Sequence, residues 1–513
     1  MWQSKKFYEL DIHAYFIPRH DDDFFILLWK NFDSIQVKSN YGSCPITDLS
    51  KISAIRILCS PILNDLHIKR KTIIIKQFFH RLFPKKIAHP QAEIIPRAEH
   101  TISRKDINPN ALRVLYRLNQ HKYSAYLVGG CLRDILLKQK PKDFDIATNA
   151  SPENIKKLFR NCLLIGRRFR LAHIRFGREI IEVSTFRAQS KKKSFKHRKI
   201  ATHGMLLRDN VYGTIEEDVW RRDFTMNALY YNIADFSLVD YCGGLADIQN
   251  KIVRIIGEPR LRYQEDPVRL LRAIRFASKL DFELDPATAE PIQELAPLLR
   301  HVPPARLFEE VLKLFHHGQA LKTYQLLQQY QLLNELFPQT KQDSLDDTND
   351  KILELACENT DKRIHQGKTV SPAFLFAVFL WPSVQSKAEQ LIAQHTPTFI
   401  AYQHAVSDAL SKQQKLITIP RRYSTAIREI WDLQHRLLQR RPYLLYRLIN
   451  HPRFRAAYDF LLLRAEIKEI DPSIASWWTH FLEADDETKK QLIQTITQTP
   501  RGTKRPRKRG RTI

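Results

Sequence analysis

Nowhere in these 513 residues does an apolar run approach the ~18–20 needed to cross a bilayer; the longest, residues 24–29 and 373–381, fall far short. No membrane span is expected. The first residues, MWQSKKFYELDIHAYF, hold neither an uninterrupted apolar stretch nor a small-residue cleavage site, which argues against an export signal. Cysteine is scarce: six in the whole chain, with no C-x-x-C pair and no Cys/His cluster, so neither a disulfide framework nor a structural zinc site is expected. These absences point to a reducing, cytoplasmic setting. Acid is also in short supply. Against 82 Lys and Arg stand 55 Asp and Glu, a net charge of +27, which says little about fold and favours a polyanionic partner. No repeat of fixed length is visible.

The stretch YLVGGCLRDILLKQKPKDFDIA (residues 126–147) carries the chemistry. An apolar run ends in Gly129-Gly130, Arg133-Asp134 follow, and a basic connector leads to Asp143-Phe144-Asp145. On a strand, residues two apart share a face, so Asp143 and Asp145 are placed side by side, with Phe144 and Ile146 packing on the other. Two carboxylates that close repel unless a cation lies between them. Mg²⁺ suits such a pair, since it takes one or two carboxylates plus phosphate oxygens. The glycines let backbone approach those phosphates, and helix-start N–H groups can receive them. A lone D-x-D is commonly a solvated turn; the ordered set of strand, Gly-Gly, Arg-Asp, helix and D-x-D points instead to metal-assisted nucleotidyl transfer.

The segments LVGGCLRD (127–134) and KPKDFDIAT (140–148) resemble the head-domain motifs of the nucleotidyltransferase branch that holds bacterial poly(A) polymerases and tRNA CCA-adding enzymes. LIGRRFRLAHIRFG (164–177), EIIEVSTFR (179–187), RRDFTMNALYYN (221–232) and EDPVRLLRAIRFA (265–277) continue the likeness in order. RRFRLAH, SPAFLFAVFLW (371–381) and HPRFRAAYDFLLLRAE (451–466) are similar to the poly(A) polymerase side of that branch. The resemblance runs from about residue 73 to the end. It implies an α+β protein, with an N-terminal α/β nucleotidyltransferase head on a mixed sheet and then an all-helical neck, body and tail. It also implies addition of AMP from ATP to RNA 3′ ends without a template. Two Mg²⁺ ions, with Mn²⁺ as a substitute, would be held mainly by Asp143 and Asp145. CCA addition to tRNA and an inactive RNA-binding relative are the alternatives.

Domains are expected at 1–72 (uninterpreted), 73–110 (basic arm or linker), 111–246 (catalytic head), 247–335 (neck), 336–495 (helical RNA-binding region) and 496–513 (basic tail). Residues 1–72 show no trustworthy period, and they are either an extension or an over-extended start; the next methionine is Met205. A helix is expected from about Asn110, with Asn108 or Asn110 as its N-cap, and another opening at Ser151-Pro152. Strands follow at 163–165, 171–176 and 180–186, and helical periodicity takes over from about Asp247.

A third acid usually completes such a metal site in the family, and two candidates stand in the chain. Glu182 lies mid-strand among apolar residues, where an ionised side chain needs a partner. Asp223 either caps a helix or, by resemblance to the RRDFT motif, serves as an active-site acid, with Asn227 as a sugar contact. Spacing does not choose between them. The loop SKKKSFKHRKIATH (190–203), with Lys192, Lys193 and Arg198, is dense in cations and could steer RNA or triphosphate. In 265–279, Asp266 and Pro267 mark a helix start. Arg269, Arg272 and Arg275 follow on one flank, and the family's templating pattern is intact as Glu265, Asp266 and Arg269. Arginines interleaved with Trp431, Tyr443, Tyr446 and Tyr458 suit single-stranded RNA, though most of these aromatics are expected in the core. The tail, with Arg507, Lys508 and Arg509, cannot bury a core and is expected to be disordered and to grip phosphate.

Overall fold

The computed structural model describes residues 91–166, 170–188, 211–340 and 347–498, together with the backbone of six further strands. Four of these strands lie in a first compact unit, residues 1–89. They are β1 (His13–Ile17), β2 (Phe24–Leu28), β3 (Ile35–Ser39) and β4 (Gly42–Ile46), paired in order as an antiparallel meander. Five-residue strands offer only two or three positions per face, too few to show a period.

Residues 90–513 form the second compact unit. Its sheet orders eight strands β5-β14-β13-β6-β7-β10-β9-β8. These are β5 (Glu93–Ile95), β6 (Ala125–Val128), β7 (Asp145–Thr148), β8 (Cys162–Ile165), β9 (Leu171–Phe176), β10 (Glu179–Thr185), β13 (Leu229–Asn232) and β14 (Leu238–Asp240). β11 (Arg198–Ile200) and β12 (Leu206–Asp209) pair apart from it. Only β7 and β10 run parallel, so the sheet is mixed as expected. β5 corrects the linker reading: part of the segment assigned to a basic arm is an edge strand, with Ile95 buried and Ile94 exposed. Three residues among prolines and charges are too few to announce a strand.

Three helices back one sheet face: α1 (Pro109–Gln120), α2 (Gly130–Leu136) and α3 (Pro152–Leu158). Asn108 caps α1 and Ser151 caps α3, each followed by proline at the first helical position. Val114, Leu115 and Leu118 of α1 share a core with Leu127, Ile146, Ile174, Ile181 and Val183. Alternation sends the neighbouring residues to the opposite face. There Val128, Ala147 and Tyr230 are covered by Phe186 and by Val219 of α4 (Ile215–Val219), while the β10-β9-β8 end lies more open.

Beyond residue 247 helices dominate, apart from a two-residue parallel pair, Ile252–Val253 with Glu283–Leu284. α5 (Gly244–Gln249) tucks beneath the turn at Thr225–Asn227, where a Cβ at Gly244 would overlap the Thr225 carbonyl. α6 (Pro259–Glu265), α7 (Val268–Leu280) and α8 (Pro304–Phe315) then carry the neck. On α7 the expected inward face is buried: Leu270, Leu271, Ile274 and Ala277. Most of the C-terminal aromatics are core as expected, Trp431 and Tyr458 included, while Tyr443 and Tyr446 are exposed. Among the described residues no helix is long and apolar enough to cross a membrane.

Candidate active site

β6 ends at Val128, and the chain turns through Gly129 at φ 82°, ψ −142°, a conformation that glycine alone adopts without strain. A Cβ there would stand 3.7 Å from Arg222 Nη1 and 3.9 Å from Asp145 Oδ2, so the turn lies against both groups. Gly129→Ala is expected to cost about 1–3 kcal/mol in backbone strain. By displacing the turn it should lower nucleotide incorporation about 100-fold, measured as initial rate at saturating RNA.

β7 starts at Asp145, not at Asp143, which precedes the strand. The alternation nevertheless holds across the boundary, since Phe144 and Ile146 are buried while Asp143 and Asp145 are exposed. The residue in register with Asp145 is Glu182, on the parallel neighbour β10. Partial removal from water, and then the Glu182 carboxylate, push the Asp145 carboxyl up to about 6 against the pull of Arg222, with Asp143 adding to the rise. Glu182 also has His173 at 3.3 Å.

Asp223 stands elsewhere. Arg272 of α7 grips its Oδ2 with Nε at 2.7 Å and with Nη2, while the Phe224 N–H donates to Oδ1 at 2.8 Å. Burial alone would raise this carboxyl, but Arg272 prevails and holds it well below the usual range. Of the two readings open for Asp223, the helix cap falls away, since only a 3₁₀ turn, Thr225–Asn227, follows and its cap residue is Phe224. Nor does Asp223 pair with the acids of β7 and β10; it joins a cationic wall. Asn227 bridges that wall, accepting from Arg133 Nη1 at 2.7 Å and donating to Asp223 Oδ1 at 3.4 Å. Arg133 is buried, pairs with Asp134 and lies over the Phe276 ring at 5.3 Å.

The neck closes the other wall of a cleft of about 710 Å³. Arg262 of α6 donates to the backbone carbonyls of Arg221 and Arg222, and Arg269 reaches the Arg262 carbonyl at 2.7 Å and Glu265 at 3.3 Å. Asp266 is not the N-cap it was expected to be. It is the joint between α6 and α7, and its carboxylate takes a bidentate pair from Arg306 of α8 at 2.8 and 2.7 Å. Asp266 and Pro267 are all that separate the two helices; Pro267 holds the cap position of α7, and Arg306 takes the carboxylate that was expected to cap it. Arg275, next along the same flank, pairs with Glu310 and does not line the cleft.

Gly129, Gly130, Arg133, Asp145, Glu182, Asp223, Asn227, Asp266, Arg269 and Arg272 therefore line one cleft. Asp143 lies beside it without lining it. Lys192, Lys193, Arg507, Lys508 and Arg509 fall outside the described residues, and of Arg198 only the strand backbone is described. Sequence reading missed Arg222, held by Asp218 at 3.1 Å and Tyr230 at 2.7 Å, and it also missed Arg262 and Arg306. Arg222 could have been found inside the quoted RRD motif; Arg306 left no local signal.

Three family descriptions match the chain: "Poly A polymerase head domain" at residues 125–254, "Probable RNA and SrmB- binding site of polymerase A" at 281–343 and "Polymerase A arginine-rich C-terminus" at 394–512. Poly(A) polymerase I of Escherichia coli O157:H7 is 48% identical over 435 residues, covering 82% of this chain and 93% of that relative. The Haemophilus influenzae protein of the same name is 48% identical over 415 residues, 78% of this chain and 90% of its own. A CCA-adding enzyme of Bacillus licheniformis is 37% identical over 221 residues, only 42% of this chain and 53% of that relative. Among solved structures, a CCA-adding enzyme in an apo form shares the fold at a TM-score of 0.54 and 19% identity, over 77% of this chain and 94% of its own. The chain belongs to the bacterial poly(A) polymerase I family, nucleotidyltransferases that add adenylate to RNA.

Proposed function

We propose that this enzyme transfers AMP from ATP to RNA 3′ ends at the junction of Asp145, Glu182 and the Gly129 turn. The observation that carries this reading is the placement of two carboxylates, in register on adjacent strands, in a cleft whose remaining lining carries eight arginines against four acids. Neither carboxylate forms an ion pair with Lys or Arg among the described residues, so their mutual repulsion is left for another cation. No group of three ligand side chains among those residues could hold an ion unaided. That suits Mg²⁺, or Mn²⁺ in its place, which would complete its shell with phosphate oxygens. Asp145 and Glu182 would hold the ions, with Asp143 alongside. Once bound there, they supply neutralisation of the triphosphate and acidification of the RNA 3′-hydroxyl.

Around them, Arg222 and Arg133 are fixed by Asp218, Asp134 and Asn227, so their charge is preorganised for the pyrophosphate that departs. Asp223 positions Arg272 on the same wall. Asp266 and Arg269 are offered to the adenine edge as acceptor and donor, held in place by Arg306 and by the Arg262 carbonyl. Lys192, Lys193, Arg198 and the tail cations would steer and retain RNA through phosphate contacts that salt weakens. We place the enzyme in the cytoplasm, a reading that rests on its few, scattered cysteines.

The test is incorporation from ATP or CTP onto a generic RNA and onto tRNA lacking its CCA end. AMP should be added to both RNAs, and chelation by EDTA should stop it until Mg²⁺ or Mn²⁺ is restored. Ordered CMP-then-AMP addition confined to tRNA would overturn the reading.

A further inference from the structure

β8 is the outer strand of the catalytic sheet, and its sequence, CLLI, is apolar on both faces. One face, Cys162 and Leu164, packs on the core. The other does not: Leu163 is 50% exposed and Ile165 41%. Register shows where that uncovered face lies. Leu163 pairs with His173 and Ile165 with Leu171 on β9; His173 pairs with Glu182 on β10, and Glu182 with Asp145 on β7. Paired residues share a face, so the exposed apolar side chains and the catalytic carboxylates stand on the same side of one sheet. Ile180, two residues from Glu182, is 41% exposed on that side, and its register partner is the exposed Arg175. Leu171 lines the catalytic cleft itself, so ledge and cleft are continuous. Three strand spacings, roughly 15 Å, separate the Asp145 strand from the outer edge.

Resting on the reading of the cleft as an RNA-extending site, we propose that this ledge seats the 3′-terminal nucleotides of the RNA, immediately upstream of the reacting hydroxyl. Phosphoryl transfer requires the attacking and leaving oxygens roughly in line, on opposite sides of the phosphorus. The cations that would hold the departing pyrophosphate, Arg222 and Arg133, lie on the β6 side of Asp145 with the Gly129 turn. The attacking strand must then arrive from the β10-β9-β8 side, where the ledge is. Its chemistry suits the task. Leu163, Ile165, Leu171 and Ile180 pack against ribose and base without fixed donors or acceptors, so every base is tolerated and the strand slides outward after each addition. Arg175, which has no acidic partner among the described residues, is available to a passing phosphate.

The full-length protein with the exposed pair changed, Leu163→Ser with Ile180→Ser, tests the seat using a labelled oligo(A) primer. The KM for primer should rise about tenfold, while kcat and the KM for ATP stay within about twofold of the parent. Leu163→Met should restore most of the loss. A photoreactive base placed next to the primer's 3′ nucleotide should cross-link within residues 160–181. An unmoved primer KM together with cross-links elsewhere would overturn the proposal. So would light scattering that finds the parent dimeric and the double variant monomeric, since a second copy would then be what covers the ledge. A parent protein that extends no RNA would instead overturn the underlying reading of the cleft.

Discussion

Asp145→Asn is expected to lower AMP incorporation at least about 1,000-fold while leaving RNA affinity nearly unchanged. The substitution keeps the shape of the side chain and removes its charge at the start of β7, where Glu182 is the neighbour in register. Charge neutralisation at a bound divalent ion is worth several kcal/mol in the transition state, and each ~1.36 kcal/mol is a factor of ten in rate. Stability should move the other way or not at all. The Asp145 carboxyl is pushed up to about 6 by partial burial and by Glu182, which marks a charge that the fold bears at a cost. Asparagine relieves that repulsion, so the variant should unfold in urea no earlier than the parent. Lost activity with unchanged RNA binding and an unchanged urea midpoint assigns the effect to chemistry. Retained activity would remove Asp145 from the reaction.

Arg272→Ala should produce the largest loss of stability among the cleft variants, about 3 kcal/mol. Arg272 is the chief partner of Asp223, and both side chains are largely enclosed, at 29% and 14% exposure. Removing the arginine strands a carboxylate that burial already disfavours. The double variant Arg272→Ala with Asp223→Asn should recover part of the loss, because no unpaired charge remains; a double variant no more stable than Arg272→Ala alone would refute the pair's role. The sign with pH follows from the direction of the shift. Asp223 is held well below its ordinary value near 3.8, so its contribution is complete above that pH. It is lost as pH falls through the folded-state value, because there the unfolded chain binds the proton first. The gap between parent and Arg272→Ala in urea midpoint should therefore be widest near neutrality and close as the solution is acidified below about 4. The KM for ATP should rise in the same variant, since the wall that carries Arg272 faces the cleft.

Some of this architecture was legible because its causes are local. Asn108 and Ser151 cap the helices they precede, proline marks the first helical residue after each, and a glycine stands where the backbone turns at φ 82°. Alternation placed Asp145 opposite Ile146, and the 3.6-residue period of α7 gave its buried face. Motif likeness then gathered Gly129, Arg133, Asn227, Asp266 and Arg269 as one set before any of them could be placed in space.

Partner choice was the part that sequence left open, since it depends on strands and helices that meet only after folding. Glu182 rather than Asp223 stands beside Asp145 because β10 joins β7 in parallel at that register. Asp223 is claimed by an arginine 49 residues onward, and Asp266 gives up its capping role to one 40 residues onward. Composition, capping and alternation are short-range, so they determined the longer elements and the turn, while motif likeness gathered the candidate site residues. The contacts that decide each carboxylate's partner, and the open sheet face beside the cleft, come from register and helix docking, which tertiary structure alone decided.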